Sequence, residues 1–471
     1  MVFSSAVFLF IFLPLVLFIN IILKERYRNP FVLIASLFFY AWGEHMLVLL
    51  MVSSICINYL VGITISYYHQ KDNKRGAVYI LALGILINLS ILFYFKYTYF
   101  IIENLELLGS SFEFEIDLIV LPIGVSFFTF QNISYLIDVY RKEVESQKNL
   151  FHLGLYVSLF PQLIAGPIVR YVDIQKEIQK RIITKELFLS GLTRFIRGLG
   201  KKVLIANTAG LIADNIFSFR PDTISSGIAW LGIICYALQI YFDFSGYSDM
   251  AIGLGRMLGF NFKENFNYPY ISKSIQDFWR RWHISLSTWF RDYLYIPLGG
   301  NRKGKNRTYI NLVIVFFITG LWHGASWNFI VWGLYHGFFL LVERVNPFQL
   351  PRRMRFLSHV YLIVVVLVGW VFFRAENLPY AIDYIYQMFA FQEGVNFTSL
   401  LYVNTYTCSV ILFGFLLATP IRKKIKNVLI ERVALGKPIF FVRYVIYGIL
   451  FFFSILELAQ ATYNPFIYYR F

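Results

Sequence analysis

The sequence predicts an all-α integral membrane protein. Hydrophobic residues make up 58% of its 471 residues and charged residues only 15%, whereas about a quarter of the residues in a soluble domain are charged. The apolar residues also occur in long blocks that contain no Lys, Arg, Asp or Glu. A helix of about 20 such residues is long enough to cross the hydrocarbon core of a bilayer. No polar interval is long enough to suggest a soluble domain.

Eight charge-free blocks are candidate spans, the shorter ones once their flanks are counted. We expect the first to be a retained span, because no basic run opens it and no small-residue cleavage site follows it. Three segments with polar breaks, Leu118 to Ile137, Leu150 to Ile168 and Leu187 to Leu211, bring the expected total to about 11 spans. The eight blocks are Met1 to Leu23, Met46 to Ser66, Ala77 to Phe95, Ile228 to Phe242, Ile310 to Leu321, Phe329 to Val342, Val360 to Phe373 and Tyr444 to Leu456.

We predict one polytopic membrane domain, residues 1–471, with three zones. Residues 1–115 and 346–471 are plain apolar spans joined by polar links, whereas residues 118–345 mix apolar blocks with Gly, Pro, His, Asp, Arg and Trp. Polar groups within a membrane are costly and usually face a cavity or each other, so chemistry is expected in the middle zone. The absence of a recognisable internal repeat argues against a secondary transporter.

The formal charge of +16 comes from basic residues in short loops between the apolar blocks. Short basic loops tend to remain on the cytoplasmic side and favour anionic lipid headgroups, so we expect contact with membrane lipids and no nucleic acid. The clusters are Lys24, Arg26 and Arg28; Lys71, Lys74 and Arg75; Arg302, Lys303, Lys305 and Arg307; Arg352, Arg353 and Arg355; and Arg422, Lys423, Lys424 and Lys426.

A broken helix is expected in the stretch FPQLIAGPIVRY, Phe160 to Tyr171, which contains Pro161, Gly166 and Pro167. Non-helical backbone at membrane depth is tolerated only where protein buries it or water reaches it. Two interpretations remain open: a re-entrant element that lines a cavity, and an ordinary loop at the interface.

The segment Gln276 to Arg307 is too charged to span and too aromatic for a simple loop, so we expect an interfacial or re-entrant helix. Helical spacing places His283 on the same side as Trp279, and Asp277 can pair with Arg281 four residues later. His283 is either a functional group or a histidine hydrogen-bonded within an amphipathic helix.

His323 is the strongest candidate for chemistry. It lies between Gly320 and Gly324, which would let backbone and ligand approach closely. A buried histidine tends to stay neutral and can act as a general base on a hydroxyl or thiol that attacks a thioester carbonyl. The alternative is a structural histidine that ties two helices together.

Two further groups are expected to be structural. His336 follows His323 by 13 residues, which on a straight helix puts it on another face. A zinc site built from His283, His323 and His336 is disfavoured, since there is no HExxH pair and no nearby Cys. Asp243 stands in an apolar run and needs a partner, and an ion pair is favoured over a role in orienting substrate. The candidate partners are Arg256, Arg280, Arg281 and Arg291.

Five strings carry a family resemblance: LPIGVSFFTFQNISYLIDVYR, FPQLIAGPIVRY, YFDFSGYSDMAIGLGRMLGF, FWRRWHISLSTWFRDYLYIPLGGNR and GLWHGASWNF. Together they resemble the membrane-bound O-acyltransferase family, and within it the bacterial alginate O-acetylation type. The resemblance covers residues 120–345 strongly, and the remainder only by its alternation of spans.

The resemblance implies a ring of about 11 transmembrane helices, with tilted and re-entrant helices around a central tunnel. The family's intramembrane histidine matches His323, and its second, more variable polar position matches His283, so both are predicted to be catalytic. Further residues are predicted to bind substrate or line the tunnel. They are Trp279, Trp282, Ser285, Arg291, Asp292, Trp322, Trp327, Asn328, Asp243 and Tyr247.

The resemblance also implies the reaction. The donor is expected to be a cytoplasmic acyl thioester, acetyl-CoA, with no bound cofactor or metal. The acyl group would cross the bacterial inner membrane and reach an exported polysaccharide such as alginate through an extracytoplasmic partner acyltransferase of the SGNH type. Alternatives are peptidoglycan O-acetylation, teichoic acid D-alanylation, a transporter of lipid-linked sugar, and a scaffold that docks a secreted acyltransferase.

Overall fold

The computed structural model describes residues 1–108, 119–345, 355–394, 403–421 and 437–460. In these ranges the regular structure is entirely helical, which confirms the all-α prediction. By length and composition, four helical stretches can cross a membrane, and three shorter apolar helices accompany them. The four are Glu25–Gln70, Lys74–Leu107, Ser226–Leu258 and Phe356–Arg374, and the shorter ones are Phe8–Ile22, Thr405–Leu417 and Tyr444–Gln460.

Two of the predicted basic loops cannot be placed. Arg352 and Arg353 lie outside the described residues, and so do Arg422, Lys423, Lys424 and Lys426.

The chain divides into two compact units. The first comprises Met1–Phe195 and Met250–Lys263, and the second comprises Ile196–Asp249 and Glu264–Phe471. Two helices, α9 (Lys185–Gly200) and α11 (Ser226–Leu258), run through the boundaries between them.

The helices of the first unit follow one another along the chain. A π-helical turn at Phe8–Phe12 opens it and a 3-10 turn at His45–Leu47 joins α2 to α3. The α-helices are α1 Leu13–Ile22, α2 Glu25–Glu44, α3 Val48–Gln70, α4 Lys74–Leu107, α5 Val125–Tyr140, α6 Leu150–Ser158, α7 Phe160–Leu163, α8 Tyr171–Gln179 and the first part of α9.

Buried amides tie α3 to α4. The Asn58 and Asn88 side chains donate to each other's carbonyl oxygens at 3.1 and 2.8 Å, and both residues are buried. Side-chain hydrogen bonds of this kind hold helices together where apolar surroundings give no hydrophobic driving force. Asn58 and Asn88 are therefore structural residues of these otherwise apolar spans.

The broken stretch Phe160 to Tyr171 is buried in the first unit. Helix α7 ends at Leu163, and the chain is non-helical up to α8, yet every side chain from Phe160 to Val169 is buried. The Tyr156 hydroxyl donates to the Val169 carbonyl at 3.1 Å, which satisfies part of this irregular backbone. Protein therefore encloses the stretch, as non-helical backbone at membrane depth requires, which argues against an ordinary loop at the interface.

The second unit contains the middle zone's polar strings. It begins with the end of α9 and a π-helical segment at Lys201–Ala206. Its other elements are α10 Asn207–Phe217, a 3-10 turn Pro221–Thr223, most of α11, a 3-10 turn Pro269–Ile271, α12 Ile275–Arg281, α13 Ile284–Phe290, a π-helical segment Arg291–Tyr295, α14 Lys305–His323, α15 Trp327–Val345, α16 Arg355–Arg374, α17 Leu378–Phe389, α18 Thr405–Leu417 and α19 Lys437–Gln460.

Helices α14 and α15 pack backbone against backbone as an antiparallel pair. A Cβ at Gly320 would overlap the carbonyl of Phe329, and one at Gly333 would overlap the carbonyl of Phe316 and lie 3.1 Å from the Gly320 backbone. Glycine is the residue that permits such an approach. This contact fixes the position of everything near the end of α14.

We predict that Gly333→Ala destabilises the protein by about 1–3 kcal/mol, because its new methyl group meets backbone atoms that cannot move aside. The matched control is Gly448→Ala in α19, where a Cβ meets nothing within 4 Å. It should leave stability equal or slightly higher, since Ala favours helix more than Gly does. Thermal unfolding of both variants in detergent measures the difference, and equal midpoints would contradict the packing argument.

Candidate active site

His323 is the last residue of α14, and three aromatic rings surround it. Its ring centroid lies 4.9 Å from Trp322, 4.9 Å from Trp332 and 5.2 Å from Phe373, with all three rings nearly perpendicular to the imidazole. The residue is 7% exposed. The carbonyl end of a helix carries partial negative charge and favours a cation. An imidazole that accepts a proton here is therefore stabilised by the end of α14.

His283 lies at a break between two short helices. Helix α12 ends at Arg281 and α13 begins at Ile284, and His283 between them has φ 43° and ψ 56°. The prediction of one helix through this segment is thus wrong, and so is the shared helical face of His283 and Trp279. Apolar spacing did not reveal the break, because spacing carries no sign of a left-handed residue. The predicted Asp277–Arg281 pair is confirmed at 3.0 Å.

Asn265 determines which nitrogen of His283 carries the proton. The Asn265 Oδ1 accepts from the Ser285 backbone N–H at 3.0 Å and from the Ser285 hydroxyl at 2.9 Å, and it lies 3.3 Å from His283 Nδ1. A backbone N–H can only donate, so the amide atom at this place is the oxygen. Nδ1 therefore donates, and Nε2 is left as a hydrogen-bond acceptor.

Several polar atoms around the two histidines are buried without a protein partner. Within the described residues this holds for His283 Nε2, Trp279 Nε1 and Trp332 Nε1. Trp322 contacts both imidazoles, with ring centroids 6.3 Å from His283 and 4.9 Å from His323. Buried polar groups are nearly always hydrogen-bonded, so these atoms are free to bond a polar ligand.

Sequence reasoning missed three important neighbours: Asn265, Trp332 and Phe373. Asn265 lies five residues after the string YFDFSGYSDMAIGLGRMLGF, and its one available signal was a polar amide in an aromatic stretch. Trp332 and Phe373 sit within apolar spans, where aromatic residues are common, and nothing local distinguished them.

The predicted tunnel residues differ in their burial and in their partners. Trp279, Trp282 and Trp322 are buried, and Ser285 is held by Asn265. The remaining members have other surroundings. Arg291 pairs with Asp292 at 2.7 Å and is largely exposed, Asn328 Nδ2 donates to the Ala375 carbonyl at 2.8 Å, Tyr247 is buried, and Trp327 is 54% exposed.

His336 lies on α15, so it does not continue the helix that carries His323. The two are closer than a straight helix predicts because α14 ends at His323 and α15 packs back along it. The ring centroid of His336 is 5.3 Å from Trp332, which also contacts His323. A Cβ at Gly369 would lie 2.6 Å from its Nε2. In the part of the chain described here, no three His, Cys, Asp or Glu side chains could hold a metal ion.

Asp243 forms an ion pair with Lys202 at 2.9 Å, and both side chains are buried. The predicted arginine partners are therefore wrong. Lys202 is in the π-helical segment, which packs on α11 close to Gly246. Arg281 instead pairs with Asp277, four residues earlier, and Arg291 pairs with the next residue, Asp292. A second pair, Lys201–Asp249 at 2.8 Å, joins the same two elements. The geometry gives Asp243 a structural partner.

A model of the membrane-bound O-acyltransferase family matches residues 37–382 of the chain. The chain is 48% identical over 395 residues to the probable alginate O-acetylase AlgI of Pseudomonas aeruginosa, covering 83% of this chain and 75% of that protein. It is 42% identical over 496 residues to the probable alginate O-acetylase AlgI of Pseudomonas putida, covering both in full. It is 39% identical over 444 residues to a peptidoglycan O-acetyltransferase of Helicobacter pylori, covering 86% and 82%.

Breaking the buried ion pair should destabilise the protein strongly. Asp243→Asn leaves the Lys202 cation buried without its carboxylate, which we expect to cost about 3–5 kcal/mol. The matched control, Asp222→Asn in the exposed Arg220–Asp222 pair, should cost about 0–1 kcal/mol. Thermal unfolding in detergent measures both effects.

The double variant Lys202→Met/Asp243→Leu tests the structural role directly. It removes both charges together, so we expect accumulation and activity to return towards wild type. A double variant that is stable but inactive would instead assign Asp243 to substrate.

Acid should destabilise the protein partly through His283, which lies outside the four long spanning helices. Burial lowers the pKa of His283 to about 3, from about 6.5 in an unfolded chain. Between these values only the unfolded chain takes up the proton, so stability is full above pH 6.5 and falls as the pH drops. We predict that His283→Gln flattens the fall in unfolding midpoint between pH 7 and pH 5. Parallel curves for variant and wild type would contradict this.

Proposed function

The chain belongs to the membrane-bound O-acyltransferase family and is an O-acyltransferase, and we propose that it carries out transmembrane acetyl transfer. The acetyl group passes from a cytoplasmic thioester donor, acetyl-CoA, to a polysaccharide exported by a bacterial cell. The observation that carries this proposal is the buried pair His323 and His283, with Trp322 in contact with both rings.

In the proposed reaction His323 is the general base. Its imidazole takes the proton from the acceptor hydroxyl while that oxygen attacks the thioester carbonyl carbon. The C–S bond then breaks, and the departing thiolate receives the proton from the imidazolium. The C-terminal end of α14 stabilises the transient cation between these steps. No bound cofactor is required, because the thioester itself carries the activated acyl group.

His283 is proposed to position the reacting hydroxyl. Its Nε2 is buried and has no protein partner in the described residues. Because Asn265 accepts from Nδ1–H, the ring stays in the tautomer in which Nε2 is an acceptor. A hydroxyl that donates to this nitrogen would be held close to the aromatic surroundings of His323. In this proposal His323 transfers the proton and His283 orients the hydroxyl.

The donor is proposed to arrive at the basic cluster at the start of α14. Arg302, Lys303, Lys305 and Arg307 are exposed and suit an anionic nucleotide. Short basic loops favour the cytoplasmic side. Helix α14 has 19 residues and is about 28 Å long, close to the thickness of the hydrocarbon core. The basic cluster and His323 thus lie at opposite ends of α14.

The finer architecture belongs to the same proposal. The helices would form a ring of about 11 spans around a tunnel, in which Trp279, Trp282 and Trp322 contribute an apolar lining and Ser285 a hydroxyl. An SGNH-type acyltransferase on the extracytoplasmic side would complete delivery to the polymer. The membrane is proposed to be the bacterial inner membrane, which faces both the cytoplasmic donor and the exported acceptor.

Alginate is the proposed example of the acceptor, because relatives at 48% and 42% identity carry the name alginate O-acetylase. Peptidoglycan is the second candidate, since a relative at 39% identity carries the name peptidoglycan O-acetyltransferase. Teichoic acid D-alanylation is the remaining variant of the same chemistry. A lipid-linked sugar transporter and a docking scaffold are disfavoured, because neither requires a buried base.

We predict that His323→Phe lowers O-acetylation by about 10²–10⁴-fold while the protein still inserts and accumulates, because the general base is lost. His336→Phe is the matched control: a second buried histidine in contact with Trp332, with neither ring nitrogen paired in the described residues. It should stay within about threefold of wild type, as expected for a near-isosteric change. The measurement is the O-acetyl content of the exported polymer.

Two results decide the assignment. Normal acetylation by the His323→Phe protein would remove His323 from the mechanism. Mass analysis of polysaccharide, peptidoglycan and teichoic acid, with and without the protein, identifies the acyl group and the acceptor. Acylation of peptidoglycan alone would replace the polysaccharide as substrate while leaving the role of His323 intact.

A further inference from the structure

A basic pocket lies in the first unit, formed by the start of α2, the start of α6 and the residues after α8. The cavity has a volume of about 360 Å³. Four cationic side chains line it against a single carboxylate, that of Glu25. They are Arg26, Arg28, Lys180 and Arg181.

The cations of this pocket lack acidic partners. Within the described ranges none of the four has a carboxylate at ion-pairing distance. Arg28 donates through Nε to the Leu23 carbonyl at 3.0 Å, and Asn29 donates to the Ile178 carbonyl, so the wall is held by backbone contacts. The protein therefore offsets only part of the cavity's positive charge, through the single carboxylate of Glu25.

Arg181 gives the clearest sign of a ligand. It is only 7% exposed, and its Nη1 donates to the Leu258 carbonyl at 3.0 Å. Its Nη2 is buried with no hydrogen-bond partner in the described part of the chain. Burial and repulsion from Arg28 lower the pKa of Arg181 to about 10, so it remains protonated at neutral pH. A buried, half-satisfied guanidinium is costly unless an anion completes its hydrogen bonds.

Two helix N-termini add to the positive field. Helix α2 begins at Glu25 and α6 begins at Leu150, where the cap residue Asn149 also lines the cavity. The first turn of a helix carries partial positive charge, which favours a phosphate or carboxylate.

We propose that this pocket binds a phosphate ester. Arginine forks match phosphate oxygens bidentately, and basic pockets between membrane helices bind the phosphates of anionic lipid headgroups. A phospholipid headgroup and a soluble phosphate both carry this chemistry. The site is independent of the proposed acyl transfer and lies in the other unit from the two histidines.

The rim of the pocket favours the lipid as the source. Phe151 lines the cavity and is 64% exposed. At the end of α1, Ile21 and Ile22 are 53% and 65% exposed, and the Ile21 carbonyl lies 3.5 Å from Arg28 Nη2. A phosphodiester on the arginines would thus have apolar surface beside it for its acyl chains.

The experiment measures the thermal shift of the purified full-length protein in neutral detergent. The probes are short-chain phosphatidylglycerol, short-chain phosphatidylcholine and inorganic phosphate. We expect phosphatidylglycerol to raise the unfolding midpoint at lower concentration than phosphatidylcholine does. The reason is that the choline cation is repelled by the cationic side chains of the pocket. Arg26→Gln/Lys180→Gln should weaken the anionic lipid at least about tenfold, because two exposed cations of the pocket are removed.

The matched control is Lys74→Gln/Arg75→Gln, which removes two exposed cations from the first turn of α4 in the same unit. It should bind phosphatidylglycerol as the wild type does. If inorganic phosphate binds in place of the lipid, and the pocket variant weakens its binding to the same extent, the site is supported. Its ligand is then a soluble phosphate. The proposal is overturned if none of the three probes binds, or if pocket and control variants lose affinity alike.

Discussion

The backbone contact between α14 and α15 is the constraint on which the candidate site depends. Lipid gives helices no hydrophobic reason to associate, so close van der Waals packing through small residues must hold them. Gly320 and Gly333 allow that approach. The turn after His323 then returns the chain so that Trp332 lies 4.9 Å from the imidazole. A wider spacing of the two helices would leave His323 beside an apolar gap instead of an aromatic wall.

The sequence was sufficient for the membrane class, the all-helical fold and the string around His323, because these depend on local composition and order. It was insufficient for His283. Apolar spacing across Trp279, His283 and Leu286 fits a helix, yet the backbone at His283 is left-handed. Asn265, 18 residues earlier, stabilises that corner through Ser285. A distant amide that replaces a helical hydrogen bond leaves no periodic signal.

The partner of Asp243 illustrates the same limit for electrostatics. An acid in an apolar run signals a buried cation, and that inference was sound. The identity of the cation depends on which helix packs on α11, and the arginines of the aromatic segment were the plausible local choices. Lys202 came instead from a segment 41 residues upstream, where a π-helical stretch directs Lys202 and Lys201 towards Asp243 and Asp249. Charge alone did not distinguish the cationic side chains that could pair with Asp243, and helix packing selected Lys202.

The three buried histidines of the second unit differ in what they can do. His336 and His283 are fully enclosed, whereas His323 keeps 7% of its surface exposed. His323 is also the last residue of α14, whose carbonyl end stabilises an imidazolium, and this favours His323 for proton transfer. His283 combines a strained backbone with an acceptor nitrogen that no described protein group satisfies. Strain and an unsatisfied buried atom each cost about 1–3 kcal/mol, and a hydroxyl that binds to Nε2 would recover the second cost. The same hydrogen bond to His283 Nε2 would then both bind the substrate hydroxyl and orient it.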